Sequence, residues 1–210
     1  GLPDLHGMYW SSSNDFTEAM YYRLAQAVSF SNSFIKNASE LSGDEVNVFI
    51  AEARFLRAYA YYNLLDLYGN VPLTTEISTE LPTQSNRTEL FNFIESELME
   101  IESILLASNE YGRVDNVAAH ALLSRLYLNA EAWTGQDRYA DCVTYSQNVI
   151  NSGYTLNMND ANGNGTAYDE LFMADNDVNG AQNEFIFTLN FDGMQSQTYG
   201  GTTFLVHAAI

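Results

Sequence analysis

The chain is poor in cross-links, in positive charge and in long apolar runs, and each shortage removes a class of function. It has one cysteine and three prolines among 210 residues. Cys142 therefore has no internal disulfide partner, and on a helix with Tyr145 and Val149 it reads as a small core residue. Eight basic residues face 27 acidic ones, and Lys36 is the sole lysine, so the formal net charge is -19. Such a field repels phosphate backbones and anionic lipid, which excludes nucleic acid as a partner; neutral ligands such as sugars escape it, and bound cations would relieve it. No run approaches the ~20 apolar residues that cross a bilayer, and no basic-then-apolar opening marks a signal peptide. Metal-protease helices, serine-hydrolase elbows and phosphate loops are missing, and His6, His120 and His207 stand in unrelated contexts, with His120 read as a hydrogen-bonded core residue. A glycosidase needs only two suitably spaced carboxylates, so 27 acidic residues leave that reading open without marking any pair.

What the chain does have is apolar and aromatic bulk, 46% and 13% of its residues. That is enough for a core without metal or disulfide. The run Glu52-Ala53-Arg54-Phe55-Leu56-Arg57-Ala58-Tyr59-Ala60-Tyr61-Tyr62-Asn63-Leu64-Leu65-Asp66-Leu67-Tyr68 is a helix apolar on two sides. Phe49, Ala53, Ala60, Leu64 and Leu67 form one side, and Phe55, Tyr59 and Tyr62 the other, so it predicts an interior layer of a helical stack. Gly69 ends it and Pro72 keeps it from resuming.

Capping boxes at Asp15 with Glu18, Ser42 with Glu45 and Asn86 with Glu89 predict three helix starts. The first of these helices carries Phe16, Met20, Leu24, Ala27 and Phe34 as its apolar face, and the third carries Leu90, Ile94, Leu98, Ile101 and Leu105. Further helices are expected at about 116–133 and 138–151, a tetratricopeptide-like pair in which Ala119 and Ala121 allow close approach and Tyr145 returns from the partner. Arg54 and Arg57, one turn apart on the apolar helix, need carboxylate or carbonyl partners. Glu95, Glu97, Glu100 and Glu102 read as a solvated face.

From residue 157 the composition turns to Asn, Asp and Gly, with Phe185-Ile186-Phe187-Thr188-Leu189 as a strand or extended piece. The fold class expected is mainly α: a right-handed, tetratricopeptide-like stack of helical pairs, with 157–210 as a loop-rich extension packed on it within a single domain. Loops on rigid scaffolds carry binding groups, which directs attention to the segments before the first helix and after the fifth.

Three collinear stretches, the helix just quoted, Gly112-Arg113-Val114 running into Ala118-Ala119-His120-Ala121-Leu122-Leu123-Ser124-Arg125-Leu126-Tyr127-Leu128, and Asn183-Glu184-Phe185-Ile186-Phe187, closely resemble the SusD/RagB family. Its members are glycan-binding lipoproteins of the outer membrane of certain Gram-negative bacteria. The resemblance implies a tetratricopeptide-like scaffold and no catalysis. It also implies a cell-surface protein, anchored through a lipid, that passes polysaccharide or oligosaccharide to a TonB-dependent transporter. Family members are longer, with a signal peptide, a lipidated cysteine and a further C-terminal part. The opening at Gly1 and the apolar finish at 204–210 accordingly predict a fragment.

Sugars offer apolar C–H faces ringed by hydroxyls, so a glycan reader needs exposed aromatic platforms beside fixed amides and carboxylates. Trp10, followed by Ser11, Ser12, Ser13 and Asn14, lies outside the core pattern and supplies that combination. The resemblance assigns Trp10 to stacking and Asn14 to hydrogen bonding, with Asp4 and His6 joining from the same segment. Tyr199, within Gln197-Thr198-Tyr199-Gly200-Gly201-Thr202, matches a second sugar-facing aromatic, where starch-binding members carry tryptophan. The competing reading buries Trp10 and Tyr199 as loop anchors.

Two segments alternate oxygen donors with a turn glycine: Asp160-x-Asn162-x-Asn164-Gly165 and Asp175-x-Asp177-x-Asn179-Gly180. Glu170 and Glu184 fall short of the twelfth position and no helix enters either loop, which excludes an EF-hand. Solvated turns and a calcium site of another kind at Asp175, Asp177 and Asn179 both remain open. The alternatives to glycan binding are a tetratricopeptide-like adaptor that holds a peptide in its concave groove and a glycoside hydrolase.

Overall fold

Helix α3 (Asp44–Tyr68) packs against α2 (Asp15–Ala38) on one side and α4 (Arg87–Ile101) on the other in the computed structural model, which describes residues 2–190 and 194. Its sequence dictates this position. Ala51, Ala53, Ala58 and Ala60 bring neighbouring backbones close, while Phe55, Tyr61, Tyr62, Leu64 and Leu65 fill the space between helices, all of them buried. Leu67, expected on the same stripe, is exposed one residue before the end of the helix. There Gly69 takes φ 77° and donates its N–H to the carbonyls of Leu64 and Leu65, a conformation that favours glycine. Val71–Pro72 then forms β1, paired antiparallel with β2 (Gln84–Ser85) in the register Val71 opposite Ser85.

The stack continues with α5 (Asn116–Leu128) on α4, and α7 (Tyr139–Ile150) on α5, with the short α6 (Ala130–Thr134) between them. Buried Ala118 and Ala119 allow the close approach of α5, and Tyr127 and Tyr145 meet at 5.6 Å between ring centroids. The mainly helical, tetratricopeptide-like reading of the sequence therefore holds. α1 (Leu2–His6) is a single turn ahead of the stack.

Several local expectations are corrected. The cap of α2 is Asn14 and not Asp15, and α3 starts after Gly43 with no side-chain cap, so Ser42 does not serve. Asn86 and Glu89 do form the reciprocal box. The expected helix over 116–133 breaks at Asn129 into α5 and α6.

On α2 the buried residues are Val28, Ser31, Asn32 and Ala38, whereas Phe16, Met20 and Phe34 are exposed. Leu24 and Ala27 of the expected face are half-buried, and the helix also turns a polar residue inward. Asn32 accepts from Arg57 Nη1 at 2.8 Å and donates to the Thr74 carbonyl at 3.0 Å. Glu97 is likewise not a solvated residue: it is buried and takes both Arg54 and Arg57. Cys142 is half-buried near Ser124 Oγ at 3.7 Å, on a helix with no fully buried residue, and so is not a core filler.

The chain divides into two compact units, one running to Asn109 and resuming over Val114–Gly153, the other made of Glu110–Arg113 with the described residues from Tyr154 onward. The second unit has two 3-10 turns in contact, Asp169–Phe172 and Ala181–Asn183. Buried Glu170 knits it, accepting Asn162 N–H at 2.8 Å on one oxygen and Asn179 Nδ2 at 3.0 Å on the other. The carboxylate of Glu184 accepts the Asn157 N–H at 2.7 Å. The expected strand at Phe185–Leu189 does not form: the chain bends at Ile186 and Phe187 and pairs with no strand among the described residues.

Candidate functional site

The segment leading into α2 folds back on itself through its own backbone. The N–H groups of Gly7, Met8 and Tyr9 donate to the carbonyls of Pro3, Leu5 and Asp4. Met8 follows with φ 56°, a left-handed conformation uncommon for a side chain of this size and a frequent mark of functional loops. Gly7 leaves room for the Tyr9 ring as it stands: a Cβ at that position would run into the ring and make it move. The consequence is three consecutive apolar side chains, Met8, Tyr9 and Trp10, turned to solvent, with Trp10 49% exposed.

Asn14 anchors the other end of this segment. It is 5% exposed, its Oδ1 accepts the N–H of Phe16 at 3.1 Å and of Thr17 at 3.3 Å, and its Nδ2 donates to Asp4 Oδ2 at 3.4 Å. One amide thus caps α2 and ties the start of the segment to its end. Asp4 is half-buried and His6 is exposed on the last turn of α1. Asp4 and His6 on α1, Trp10 on the loop and Asn14 at the α2 cap therefore share one short segment, with the indole outside and the amide inside. Tyr199 lies outside the described residues. Sequence reasoning passed over Met8 and Tyr9, although a tyrosine directly before the tryptophan was the available signal.

The Asn/Asp/Gly loops use most of their oxygens internally. Asp160 accepts from the N–H groups of Gly163, Asn164 and Gly165, and Asn179 accepts from Ala181 N–H while donating to Glu170. Asp175 contributes its backbone carbonyl to Val178 and Asn179, and Asp177 is exposed. Among the described residues no three His, Cys, Asp or Glu side chains converge as a metal centre would.

Ionisable groups inside the first unit are locked to one another. Tyr127 donates to Glu95 at 2.9 Å beneath the Arg138 guanidinium, 4.6 Å from the ring centroid, and burial with that carboxylate pushes the phenol well above its ordinary range. Burial also pushes the Tyr145 phenol up, with Glu102 adding to it, and His120 Nε2 lies 3.5 Å from Glu102. An apolar groove of about 350 Å³ lies between α3 and the end of α4, lined by Ile50, Ala51, Ile101 and Ile104 with Asn47 and Arg54.

Residues 6–128, which include Trp10, Asn14 and helices α2 to α5, match the SusD-like family model described as "Starch-binding associating with outer membrane". The chain belongs to the SusD-like family. Among curated relatives, this SusD-like chain is 39% identical over 208 residues to the starch-binding protein SusD of Bacteroides thetaiotaomicron, covering 98% of this chain and 36% of that protein. The crystal structure of a SusD-like protein from Bacteroides fragilis superposes with TM-score 0.72 at 25% identity, over 88% of this chain and 35% of that one. A laminarin-binding SusD-like protein superposes with TM-score 0.65 at 25% identity, over 77% and 36%. The SusD-like chain thus spans a little over a third of the length of these relatives. No helix among its described residues is long and apolar enough to cross a membrane.

Proposed function

We infer that this chain is part of a non-catalytic glycan-binding protein at the outer face of a bacterial outer membrane. It holds polysaccharide or oligosaccharide there for delivery to a TonB-dependent transporter. Membership of a family with starch-binding and laminarin-binding relatives supports the ligand class. The family description supports the location. Delivery to a transporter and attachment by a lipid rest on the family resemblance.

The observation that carries the reading is the half-exposed Trp10, held on a loop whose ends are tied by Asn14 and Asp4. An indole carried on a segment tied at both ends needs less ordering to meet the C–H face of a pyranose, so less of the contact is spent on entropy. One such contact contributes about 0.5 to 1.5 kcal/mol, which suits reversible capture of a polymer. The charge of -19 favours neutral glycans over uronate-rich ones.

Affinity electrophoresis against a panel of soluble glycans, with the Trp10→Ala variant alongside, tests the reading. At least one neutral glycan should retard the wild-type chain and retard the variant less. Equal retardation of both proteins on every glycan would remove Trp10 from the site. Shortening of the polymer by purified protein would overturn the non-catalytic reading.

A further inference from the structure

The second unit carries an aromatic pair that its packing does not use. Tyr168 and Phe172 are 70% and 72% exposed, yet their rings stand together, centroids 5.3 Å apart and planes at 65°. The 3-10 turn Asp169–Phe172 brings them to one side, and its foundation is rigid. Glu170, buried within that turn, holds Asn162 and Asn179, and Thr166 Oγ1 accepts the Tyr168 N–H at 3.2 Å.

Beside the rings, Asp169 Oδ2 accepts Asn162 Nδ2 at 3.1 Å and Asn164 Nδ2 at 2.6 Å. The amides of Asn162 and, next, Asn164 outweigh desolvation and hold that carboxyl below the usual carboxylate range, so it stays ionised and the amides stay oriented. An edge-to-face pair is a corner: one ring offers its face and the other closes one side. The exposed amides of Asn162 and Asn164 are the groups left to meet the hydroxyl rim of a sugar whose C–H face lies on the ring, since Asp169 Oδ2 is taken by them and its Oδ1 is buried.

We propose that Tyr168 and Phe172, with Asn162 and Asn164 oriented by Asp169, form a second carbohydrate contact in this chain, for a neutral pyranose ring. It rests on the glycan-binding reading above but uses different residues in a different compact unit. Anionic ligands are disfavoured by the net charge of -19.

The test is affinity electrophoresis in gels containing soluble starch, xyloglucan or laminarin. It compares the wild-type chain with Trp10→Ala, the double variant Tyr168→Ala/Phe172→Ala, and the ring-keeping double variant Tyr168→Phe/Phe172→Tyr. Both rings are exposed, so thermal melting should be unchanged in either double variant. On the polymer that retards the wild type most, loss of both rings should weaken apparent affinity about three- to tenfold, and the ring-keeping pair should stay near wild type.

Wild-type retardation of the ring-deleted pair overturns the second contact. If Trp10→Ala has meanwhile lost retardation, the reading of the first site stands and only this one falls. Equal loss in the ring-keeping pair also overturns it, because stacking survives that exchange. A wild-type chain that no polymer retards overturns both.

Discussion

Arg57 Nη2 donates to Glu97 Oε2 at 2.6 Å with both side chains almost fully out of solvent, 6% and 9% exposed. Arg54, one turn away on α3, takes the other carboxylate oxygen at 2.7 Å, so one glutamate from α4 serves two guanidinium groups. Removing it would strand a buried Arg57, which costs far more than the pair itself contributes. Glu97→Ala should destabilise the chain by about 3–5 kcal/mol, read as a lower urea midpoint. A loss under about 1 kcal/mol would mean the arginines find other partners.

The same network predicts an acid limb. Arg54 also binds Glu100 at 2.6 Å, and that hydrogen bond, followed by the one from Ser96, lowers the Glu100 carboxyl below its ordinary value of 4.5. A depressed folded-state value means stability that is present above the ordinary value and lost as pH falls through the folded one. Glu100 is well exposed, so its share is small. Glu100→Gln should leave the urea midpoint at pH 7 little changed and flatten its decline below about pH 4.5. An identical decline in both proteins would detach Glu100 from acid unfolding.

Asn14 does two jobs that separate by substitution. Asn14→Ala removes both the cap and the tie to Asp4 and should cost about 0.5–2 kcal/mol. Asn14→Ser keeps a capping oxygen but cannot reach Asp4, so stability should be largely retained while the Trp10 segment loosens. Asn14→Asp also keeps the cap but sets a second carboxylate against Asp4. In a Trp133→Phe background, which leaves Trp10 as the only indole, acrylamide quenching should rise for Asn14→Ser and further for Asn14→Asp. Unchanged quenching would show that the backbone turn alone fixes the indole.

The scaffold was legible because its signals are dense and local: two-sided apolarity on α3, Gly69 after its last turn, and the Asn86 box before α4. The orientation of α2 was legible only in part: Leu24 and Ala27 of the expected stripe are half-buried, whereas Phe16, Met20 and Phe34 are exposed and Asn32 turns inward to Arg57. Glu97 was hidden because it sits among glutamates that do face water. Its arginine partners were foreseen without their carboxylate. At the candidate site, Trp10 could be named from its neighbours, but the capping role of Asn14 depended on where α2 begins, and a one-residue shift of the cap from Asp15 changes which side chain is used.

Gly7 is where sequence, backbone and site meet most tightly. Its missing Cβ makes room for the Tyr9 ring, and Met8 takes its left-handed turn between them. With the ring there, the Gly7 α-protons should show ring-current shifts away from random-coil values, and Tyr9→Leu should abolish them. Gly7→Ala should evict the ring at a cost to stability of under about 1 kcal/mol, because the moving group is an exposed side chain and the core is untouched. If Tyr9 steadies the neighbouring indole, the same variant should bind a retarding glycan more weakly than wild type while melting with it. Random-coil shifts at Gly7 in the wild type would show that the ring does not rest there, and the role given to this glycine would fail.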